Sequence, residues 1–258
     1  MMIWSEASSD QPPVTVTVPD RETLFSDLTA RLKQRDGFSV ATLNLDHVVK
    51  LARNPAFHAA YVRHTHVTAD GHPIVWLSRL AGQRDISLIP GSELVEPLAG
   101  IAARLEVGVA LVGATHAALT AAAESLRVQH PGLKIVLEHA PAMGFDPKGP
   151  AADAAIAEIR GSGAGLVFLA LGAPRQEQFA SRAQDLLPNV GFLSIGAGLD
   201  FLAGMQTRAP RWIQAVAAEW LWRMVSSPGR LGRRYGACLA ALPRLTLRAA
   251  IMRRRAGT

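Results

Sequence analysis

Asp70 is the side chain of this 258-residue chain that is best placed for proton transfer. It follows a short predicted strand at residues 66–68 and precedes Gly71, so it lies where that strand ends. A carboxylate in a cleft at such a position can serve as a general base. It can equally cap the helix that Pro73 is expected to begin. The local sequence leaves both roles open for Asp70.

Thr42 and Asn44 end another predicted strand. They are two residues apart, so their side chains lie on the same face of that strand. Taken alone, this pair is typical of a polar strand end or an Asx turn. In an open parallel sheet, however, ligands bind outside the carboxyl ends of the strands. Polar residues at strand ends are therefore candidate site residues.

Two glycine-rich segments follow later strands and have the features of a phosphate site. In residues 171–177 (LGAPRQE) a buried strand ends in glycine, and Pro174 stands where a helix can begin. The N-terminus of a helix offers unpaired N–H groups and a positive dipole end, which suit phosphate; an ordinary strand-to-helix turn is the alternative. Residues 194–200 (SIGAGLD) form a similar exit, although the complete dinucleotide motif G-x-G-x-x-G is absent. The candidate binding residues of the two segments are Gly172, Arg175, Gln176, Gly196 and Asp200.

Three histidines, His64, His66 and His72, lie close to Asp70 in the sequence. A His-x-His pair on one strand face can bind zinc or iron. The segment HTHVTADGH, however, lacks the spacing of the H-x-H-x-D-H metallohydrolase motif, and no Asp-x-Asp pair occurs to clamp manganese on a nucleotide-sugar. We therefore expect no metal site and no cofactor. A metal-dependent hydrolase at His64, His66 and Asp70 stays an alternative.

The elements that must position these residues alternate between strands and helices. Apolar, β-rich runs predict strands at residues 14–18, 39–45, 66–68, 107–112, 134–138, 165–171 and 191–195. Ala- and Leu-rich helical patterns lie between several of them, for example at residues 117–129 and 151–160. This alternation predicts an α/β fold with a mostly parallel sheet and helices on both of its faces.

The composition fits one cytoplasmic core domain with an appendage. Hydrophobic residues make up 49% and charged residues 19% of the chain, which excludes a wholly disordered protein. Cys238 is the single cysteine, so internal disulfides and cysteine-based zinc sites are excluded. We see neither a signal peptide nor an uninterrupted apolar run of membrane-spanning length. The chain divides into a flexible leader (1–13), a catalytic domain (14–207) and a helical, basic C-terminal appendage (208–258).

The positive charge is concentrated near the C-terminus. Residues 205–258 contain eleven Arg and one acid, a net charge of +10, whereas the net charge of the whole chain is +6. Trp212, Val216 and Trp220 recur every four residues and form one broad apolar face of a predicted helix. An apolar face beside many cations is typical of a segment that lies on an anionic membrane. A soluble helical cap is the alternative.

The polar segments also occur in the order of a known family. Thr-x-Asn at residues 42–44 is followed by Ala-Asp-Gly at 69–71, Gly-Ala-Pro-Arg-Gln-Glu at 172–177 and Gly-Ala-Gly-Leu-Asp-Phe-Leu-Ala-Gly at 196–204. Arg-Ala-Pro-Arg-Trp at 208–212, Glu-Trp-Leu-Trp-Arg at 219–223 and Arg-Arg-Tyr at 233–235 complete the set. This ordered set resembles the WecG/TagA/CpsF family of bacterial glycosyltransferases. One departure precedes Gly91, where the family often has Glu-Arg and this chain has Leu-Ile-Pro.

The resemblance implies a Rossmann-like sheet, a UDP-sugar donor and a polyprenyl-diphosphate-linked sugar acceptor. Asp70 then corresponds to the family's proposed base, Thr42 and Asn44 to neighbouring polar residues, and Gln176 and Asp200 to donor-site positions. We predict inverting, metal-independent transfer of a hexose or N-acetylhexosamine-type sugar in the synthesis of an exopolysaccharide, teichoic acid or antigen. The sugar itself is left open. The arginines expected to neutralise the leaving diphosphate are Arg175, Arg208, Arg211, Arg223, Arg230 and Arg233.

The acceptor also implies a location. We expect a peripheral protein on the anionic inner face of the cell membrane, and a homo-oligomeric state stays open. The second function considered is a nucleic-acid-binding α/β protein that uses the basic appendage. No helix-turn-helix, RRM or KH motif supports it, so the first prediction includes no nucleic-acid partner.

Overall fold

Six short apolar runs form a parallel sheet in this computed structural model, which describes residues 2–5, 11–205 and 228–255. The strands are β1 Phe38–Leu43, β2 His66–Ala69, β3 Val109–Gly113, β4 Ile135–His139, β5 Leu166–Ala170 and β6 Gly191–Ser194. Their order is β2-β1-β6-β5-β3-β4, and every pairing is parallel. All residues of β1, β2, β3 and β6 are buried, as expected for strands covered on both faces. The predicted α/β fold is confirmed.

Helices connect the strands and cover the sheet. They are α1 Arg21–Gln34, α2 Leu45–Leu51, α3 Pro55–Tyr61, α4 His72–Leu80, α5 Val95–Arg104, α6 His116–Gln129, α7 Pro150–Ser162, α8 Arg175–Leu186, α9 Gly198–Leu202 and α10 Pro228–Arg255. A short 3-10 turn at Gly91–Glu93 precedes α5. Asp20, Asn44, Asn54 and Thr115 cap α1, α2, α3 and α6. Each cap accepts a hydrogen bond from the backbone N–H three residues later, which satisfies one of the unpaired donors at a helix start.

Apolar residues on the two sheet faces build two separate layers. Because side chains alternate along a strand, Leu166 and Phe168 pack with α1, α5 and α6, whereas Val167 and Leu169 pack with α7 and α8. A third apolar cluster lies at the β2 end of the sheet and includes residues of α2, α3 and α4. The third cluster surrounds the strand end that carries Asp70.

The long helix α10 packs against α2 and α4. Leu245 and Ala249 of α10 are buried in the third apolar cluster, and the single cysteine, Cys238, is buried as well. Met2 and Trp4, which belong to the leader predicted over residues 1–13, are buried in the same cluster. The boundary predicted near residue 207 and the tryptophan-bearing helix predicted after it lie outside the described residues.

The strand predicted over residues 14–18 is wrong. Val14, Val16 and Val18 alternate toward the core as they would in a strand. Hydrogen bonds to β2, however, involve one residue, Val67: its carbonyl accepts from Thr17 N at 2.9 Å, and its N–H donates to Thr17 Oγ1 at 2.8 Å. Prolines flank the segment at both ends and lack the N–H that a longer ladder needs. The segment is therefore extended chain beside the sheet edge.

Candidate active site

The carboxyl ends of four adjacent strands carry the candidate residues. β2, β1, β6 and β5 are consecutive in the sheet. Asp70 follows β2, Asn44 follows β1, Gly196 lies two residues beyond β6, and Gly172 lies two residues beyond β5. Neighbouring strands lie about 4.8 Å apart, so the four ends span roughly 15 Å. The parallel sheet thus places residues from distant parts of the sequence at one edge.

Asp70 and Thr42 contact each other at this edge. The backbone N–H of Asp70 donates to Leu43 O at 2.8 Å, which holds the residue against the end of β1. The buried hydroxyl of Thr42 donates a long hydrogen bond, 3.5 Å, to Oδ2 of Asp70. The N-cap of α4 is Gly71 rather than Asp70, and Gly71 makes no side-chain cap hydrogen bond. Asp70 is half-buried, and a ligand at the strand ends can reach its carboxylate.

Asn44 is the N-cap of α2. Its Oδ1 accepts a hydrogen bond from the backbone N–H of His47 at 3.0 Å. The sequence indicated an Asx turn as one interpretation of Asn44, and this hydrogen bond is of that kind. It fixes the Asn44 side chain directly beyond β1. The predicted catalytic role of Asn44 stays a prediction.

Gly91 allows a turn to approach Thr42 closely. A Cβ atom at this position would lie 3.0 Å from Ser194 O and 3.2 Å from Cγ2 of Thr42. The turn Gly91–Glu93 therefore packs across the ends of β1 and β6. Glu93 of this turn pairs with Arg21 of α1, which fixes the turn from the other side.

Gln176 joins the two glycine-rich turns. Its Oε1 accepts hydrogen bonds from Gly172 N and from Gly196 N, each at 3.2 Å. Both glycines have positive φ, 71° and 57°, a conformation that other residues rarely adopt. Gln176 is buried and is the second residue of α8, so it lies in the wall of the candidate donor site. The structure thus brings together three predicted residues, Gly172, Gln176 and Gly196.

Glu177 is a buried carboxyl group that sequence reasoning missed. Its Oε1 accepts from Nε2 of Gln176 at 2.7 Å, and its Oε2 has no hydrogen-bond partner among the described residues. Burial raises the pKa of Glu177 to about 7, against the opposing effects of the hydrogen bond from Gln176 and the charge of Lys50. In sequence it looks like any glutamate in the first turn of a helix, where acids are common. Only packing reveals that it is enclosed.

Tyr61 and His47 form a buried, uncharged pair near Asp70 and Glu177. The Tyr61 hydroxyl lies 3.2 Å from Nδ1 of His47. Burial raises the pKa of Tyr61, and the negative charges of Glu177 and Asp70 raise it further. Burial lowers the pKa of His47 to about 3, so its imidazole is neutral at ordinary pH. A protonated phenol beside a neutral imidazole adds no charge to the site.

Asp46 connects α2 to two other parts of the protein. Its carboxylate pairs with Lys50 Nζ at 2.8 Å and with Nε of Arg234 in α10 at 3.0 Å. Lys50 Nζ also donates to Ala173 O at 3.1 Å, in the turn between β5 and α8. The set of Asp46, Lys50 and Arg234 therefore links α10 to the candidate donor turn. Sequence reasoning missed this set because Asp46 and Lys50 resemble an ordinary surface pair four residues apart.

The remaining predicted binding residues are only partly placed. Arg175 is exposed in the first turn of α8, and Asp200 lies half-buried in α9. Arg208, Arg211 and Arg223 lie outside the described residues. Arg230 and Arg233 fall within α10, where the backbone alone is described. Their predicted contacts with a diphosphate stay predictions.

His64 and His66 do not converge on Asp70. His66 is at the opposite end of β2, where its Nε2 pairs with Asp27 Oδ2 at 2.8 Å. His64 is buried with Nδ1 2.9 Å from Ala60 O, and burial lowers its pKa to about 4. Within residues 2–5, 11–205 and 228–255, no group of three His, Cys, Asp or Glu side chains is arranged to hold a metal ion. The hydrolase alternative therefore has no ligand set in this part of the chain.

No helix in the described part of the chain combines the length and the apolarity needed to cross a bilayer. α10 is long enough, but arginines recur along it.

Comparison with known proteins agrees with this geometry. A family model described as "Glycosyl transferase WecG/TagA/CpsF family" matches residues 12–257. The chain is 25% identical over 204 residues to the N-acetylglucosaminyldiphosphoundecaprenol N-acetyl-beta-D-mannosaminyltransferase of Bacillus subtilis (strain 168), covering 78% of this chain and 77% of the relative. It is 27% identical over 206 residues to the protein of the same name from Bacillus spizizenii (strain ATCC 23059 / NRRL B-14472 / W23), covering 80% and 77%. The family match includes the sheet, the candidate site and α10.

Proposed function

Because the chain belongs to the WecG/TagA/CpsF family of glycosyltransferases, we propose that it moves a hexose or N-acetylhexosamine-type sugar from a UDP-sugar to a polyprenyl-diphosphate-linked sugar. The names of the two relatives describe N-acetylmannosaminyl transfer to N-acetylglucosaminyldiphosphoundecaprenol, which makes that lipid the first acceptor to test. The observation that supports the proposal is the shared edge of the sheet. It carries a carboxylate, Asp70, two glycine turns joined by Gln176, and the N-terminus of α8, whose positive dipole end suits a diphosphate.

The proposed reaction is a single displacement with inversion. An acceptor hydroxyl oxygen attacks the anomeric carbon, the bond from that carbon to the diphosphate oxygen breaks, and UDP leaves. Asp70 accepts the hydroxyl proton, and Thr42 orients the carboxylate through its hydrogen bond. The relatives' names specify a β-linked product, which inversion yields from an α-linked donor.

The leaving diphosphate gains negative charge that the protein must stabilise. The N-terminus of α8, with its positive dipole end, lies at the edge that holds Asp70. The N–H groups of Gly172 and Gly196 donate to Gln176, so these two turns shape the site and leave the charge to the helix and to arginines. Arg175 is exposed in the first turn of α8, and we propose that it contacts the diphosphate. Arg208, Arg211, Arg223, Arg230 and Arg233 are proposed to contribute in the same way.

The test is a transfer assay with purified full-length protein. The acceptor is N-acetylglucosamine linked through diphosphate to a short isoprenoid, and the donors are UDP-N-acetylmannosamine, its uronic acid and UDP-glucose. We expect one donor to yield a disaccharide lipid, with a β linkage by NMR from the α-linked donor. Absence of product with every UDP-sugar would contradict the proposed donor class, and an α-linked product would contradict inversion.

Metal independence belongs to the same proposal. The sequence contains no Asp-x-Asp clamp, so backbone N–H groups and arginines are proposed to replace a divalent ion. We expect transfer to continue in excess EDTA at a rate close to that of the untreated protein. Loss of turnover that Mn²⁺ or Mg²⁺ restores would contradict this expectation. The control is a metal-dependent glycosyltransferase that the same EDTA concentration inactivates.

The proposed location is the anionic inner face of the cell membrane, because the acceptor is a lipid. Leu239, Leu247 and Ile251 of α10 are exposed large apolar side chains, and they recur at intervals of four and eight residues. Exposed arginines of the same helix, Arg244, Arg253 and Arg254, are suited to lipid phosphates. We propose that this face of α10 lies on the bilayer and brings the site to the lipid-linked acceptor.

A further inference from the structure

The side-chain amide oxygen of Gln176 joins two turns. An amide oxygen has two lone pairs, and here one accepts from Gly172 N and the other from Gly196 N. The turns end β5 and β6, which are neighbours in the sheet. Gln176 therefore sets the spacing between the two turns that we assign to the donor diphosphate.

This arrangement works in only one orientation of the amide. If the amide rotated by half a turn, its NH₂ group would face two backbone N–H donors, and both hydrogen bonds would be lost. Glu177 prevents that rotation. Its Oε1 accepts from Nε2 of Gln176 at 2.7 Å, and an ionised carboxylate has no proton to donate to an amide oxygen in the reverse orientation. Because burial raises the pKa of Glu177 to about 7, this restriction acts fully above that pH.

Packing alone does not explain why a glutamate occupies position 177. The side chain is fully buried, and its Oε2 has no hydrogen-bond partner in the described ranges. A buried polar atom without a partner lowers stability, and an apolar side chain of the same size would avoid that loss. The charges that act on Glu177 from neighbouring elements are those of Lys50 and Asp46, both from α2. The specific contact that Glu177 makes is therefore the one to Gln176.

We propose that Glu177 is a positioning residue of the donor site: it holds the Gln176 amide in the orientation that fastens the turns at Gly172 and Gly196 around a nucleoside diphosphate. Glu177 does not touch the substrate and acts through Gln176. The assignment of the turns to a diphosphate depends on the proposed function, whereas the contact between Glu177 and Gln176 does not.

Amide hydrogen exchange tests the positioning role without any substrate. The variants are Glu177→Met, which removes the acceptor at similar size, Glu177→Gln, which keeps an acceptor oxygen, and Gln176→Met. Gln184→Met is the matched control, because Gln184 lies on the same helix and its Nε2 donates to Val190 O at 3.3 Å, away from the strand ends. We expect the Gly172 and Gly196 amides to exchange at least tenfold faster in E177M and Q176M, but not in E177Q or Q184M. Equal protection of the two glycine amides in all proteins would overturn the proposal. If E177M does not fold, Glu177→Leu is used in its place.

Donor kinetics then test the consequence for binding. In E177M we expect the KM for the UDP-sugar to rise at least tenfold, with a smaller change in kcat, and E177Q to recover most of the loss. The double variant Q176M/E177M should resemble Q176M alone, because Glu177 acts through Gln176. Additive effects would overturn the proposed route. If the wild-type protein turns over no UDP-sugar, the proposed function fails while the exchange experiment still decides the role of Glu177.

Discussion

Asp70 and Glu177 are both carboxyl groups of the candidate site, but their surroundings differ. Asp70 is half-buried at a strand end and can meet a hydroxyl group, whereas Glu177 is enclosed and contacts Gln176. Asp70 could be predicted from sequence, since an acid between a short strand and Gly71 stands at the binding edge of a parallel sheet. Glu177 could not, because its burial depends on residues far away in the chain. The outcome at Asn44 was open as well, and the structure uses its oxygen as a helix cap.

Asp70→Asn keeps the size of the side chain and removes the proposed base. We expect turnover to fall by about 10²-fold or more, while the KM for the donor changes little. Steady-state kinetics with saturating acceptor measure both quantities. Asp185→Asn is the control, because Asp185 is exposed and pairs with Arg63 away from the strand ends. Near-normal turnover of D70N would end the assignment of Asp70 as base.

The raised pKa of Glu177 predicts a pH dependence of stability. The unfolded chain has a glutamate pKa near 4.5, and the folded protein raises it to about 7, so the folded state binds the proton more tightly. The contribution of Glu177 to stability is thus highest below about pH 4.5 and declines as pH rises toward 7, by up to about 3 kcal/mol. Glu177→Gln lacks this titration, so its free energy of unfolding should gain on that of the wild type between pH 5 and 8. Urea denaturation of both proteins at four pH values measures the difference, and a constant difference would contradict the raised pKa.

At the scale of elements, α2 connects the strand end of β1 with the turn after β5 and with α10. Asn44 begins the helix, Lys50 reaches Ala173 O, and Asp46 pairs with Arg234. The polar strand ends could be predicted because buried apolar runs stop at recognisable turns. The bridging role of α2 could not, since it depends on which helices become neighbours after the chain folds.

Asp46→Asn tests this connection. The substitution leaves Lys50 and Arg234 without their carboxylate, and the free energy of unfolding should fall by about 1–2 kcal/mol. Asp185→Asn breaks the exposed pair with Arg63 and should cost at most about 0.5 kcal/mol. Chemical denaturation of the two variants provides the comparison. Equal losses would mean that the pair between α2 and α10 contributes no more than a surface ion pair.

At the scale of the whole molecule, six of the seven predicted strands and the α/β fold are confirmed. Apolar runs locate strands because burial on both faces favours apolar side chains along most of a strand. They do not determine the order of the strands, in which β6 lies next to β1. The seventh run, residues 14–18, has the alternating pattern of a strand but packs beside β2 through one residue. The predicted WecG/TagA/CpsF membership is confirmed by the family match over residues 12–257.

Membrane binding belongs to this scale because it uses an entire face of α10. The double variant Leu247→Asp, Ile251→Asp should bind anionic vesicles at least about tenfold more weakly than wild type, since two apolar contacts are lost. Leu186→Asp is the control: Leu186 is 46% exposed on α8, comparable to Leu247 at 64% and Ile251 at 44%. High salt should weaken wild-type binding without abolishing it, because salt screens the arginines but not the apolar contacts. Vesicle co-sedimentation measures all three proteins, and undiminished binding of the double variant would exclude this face.

The position of Cys238 allows the detachment of α10 to be followed by thiol labelling. It is the single thiol of the chain, it is buried in α10, and burial raises its pKa to about 11. The thiolate is the form that attacks a thiol reagent, so Cys238 reacts when α10 separates from α2 and the side chain meets water. The labelling rate of the unmodified protein therefore measures how often α10 detaches. No foreign probe has to be introduced to follow that opening in the presence of UDP-sugars or vesicles.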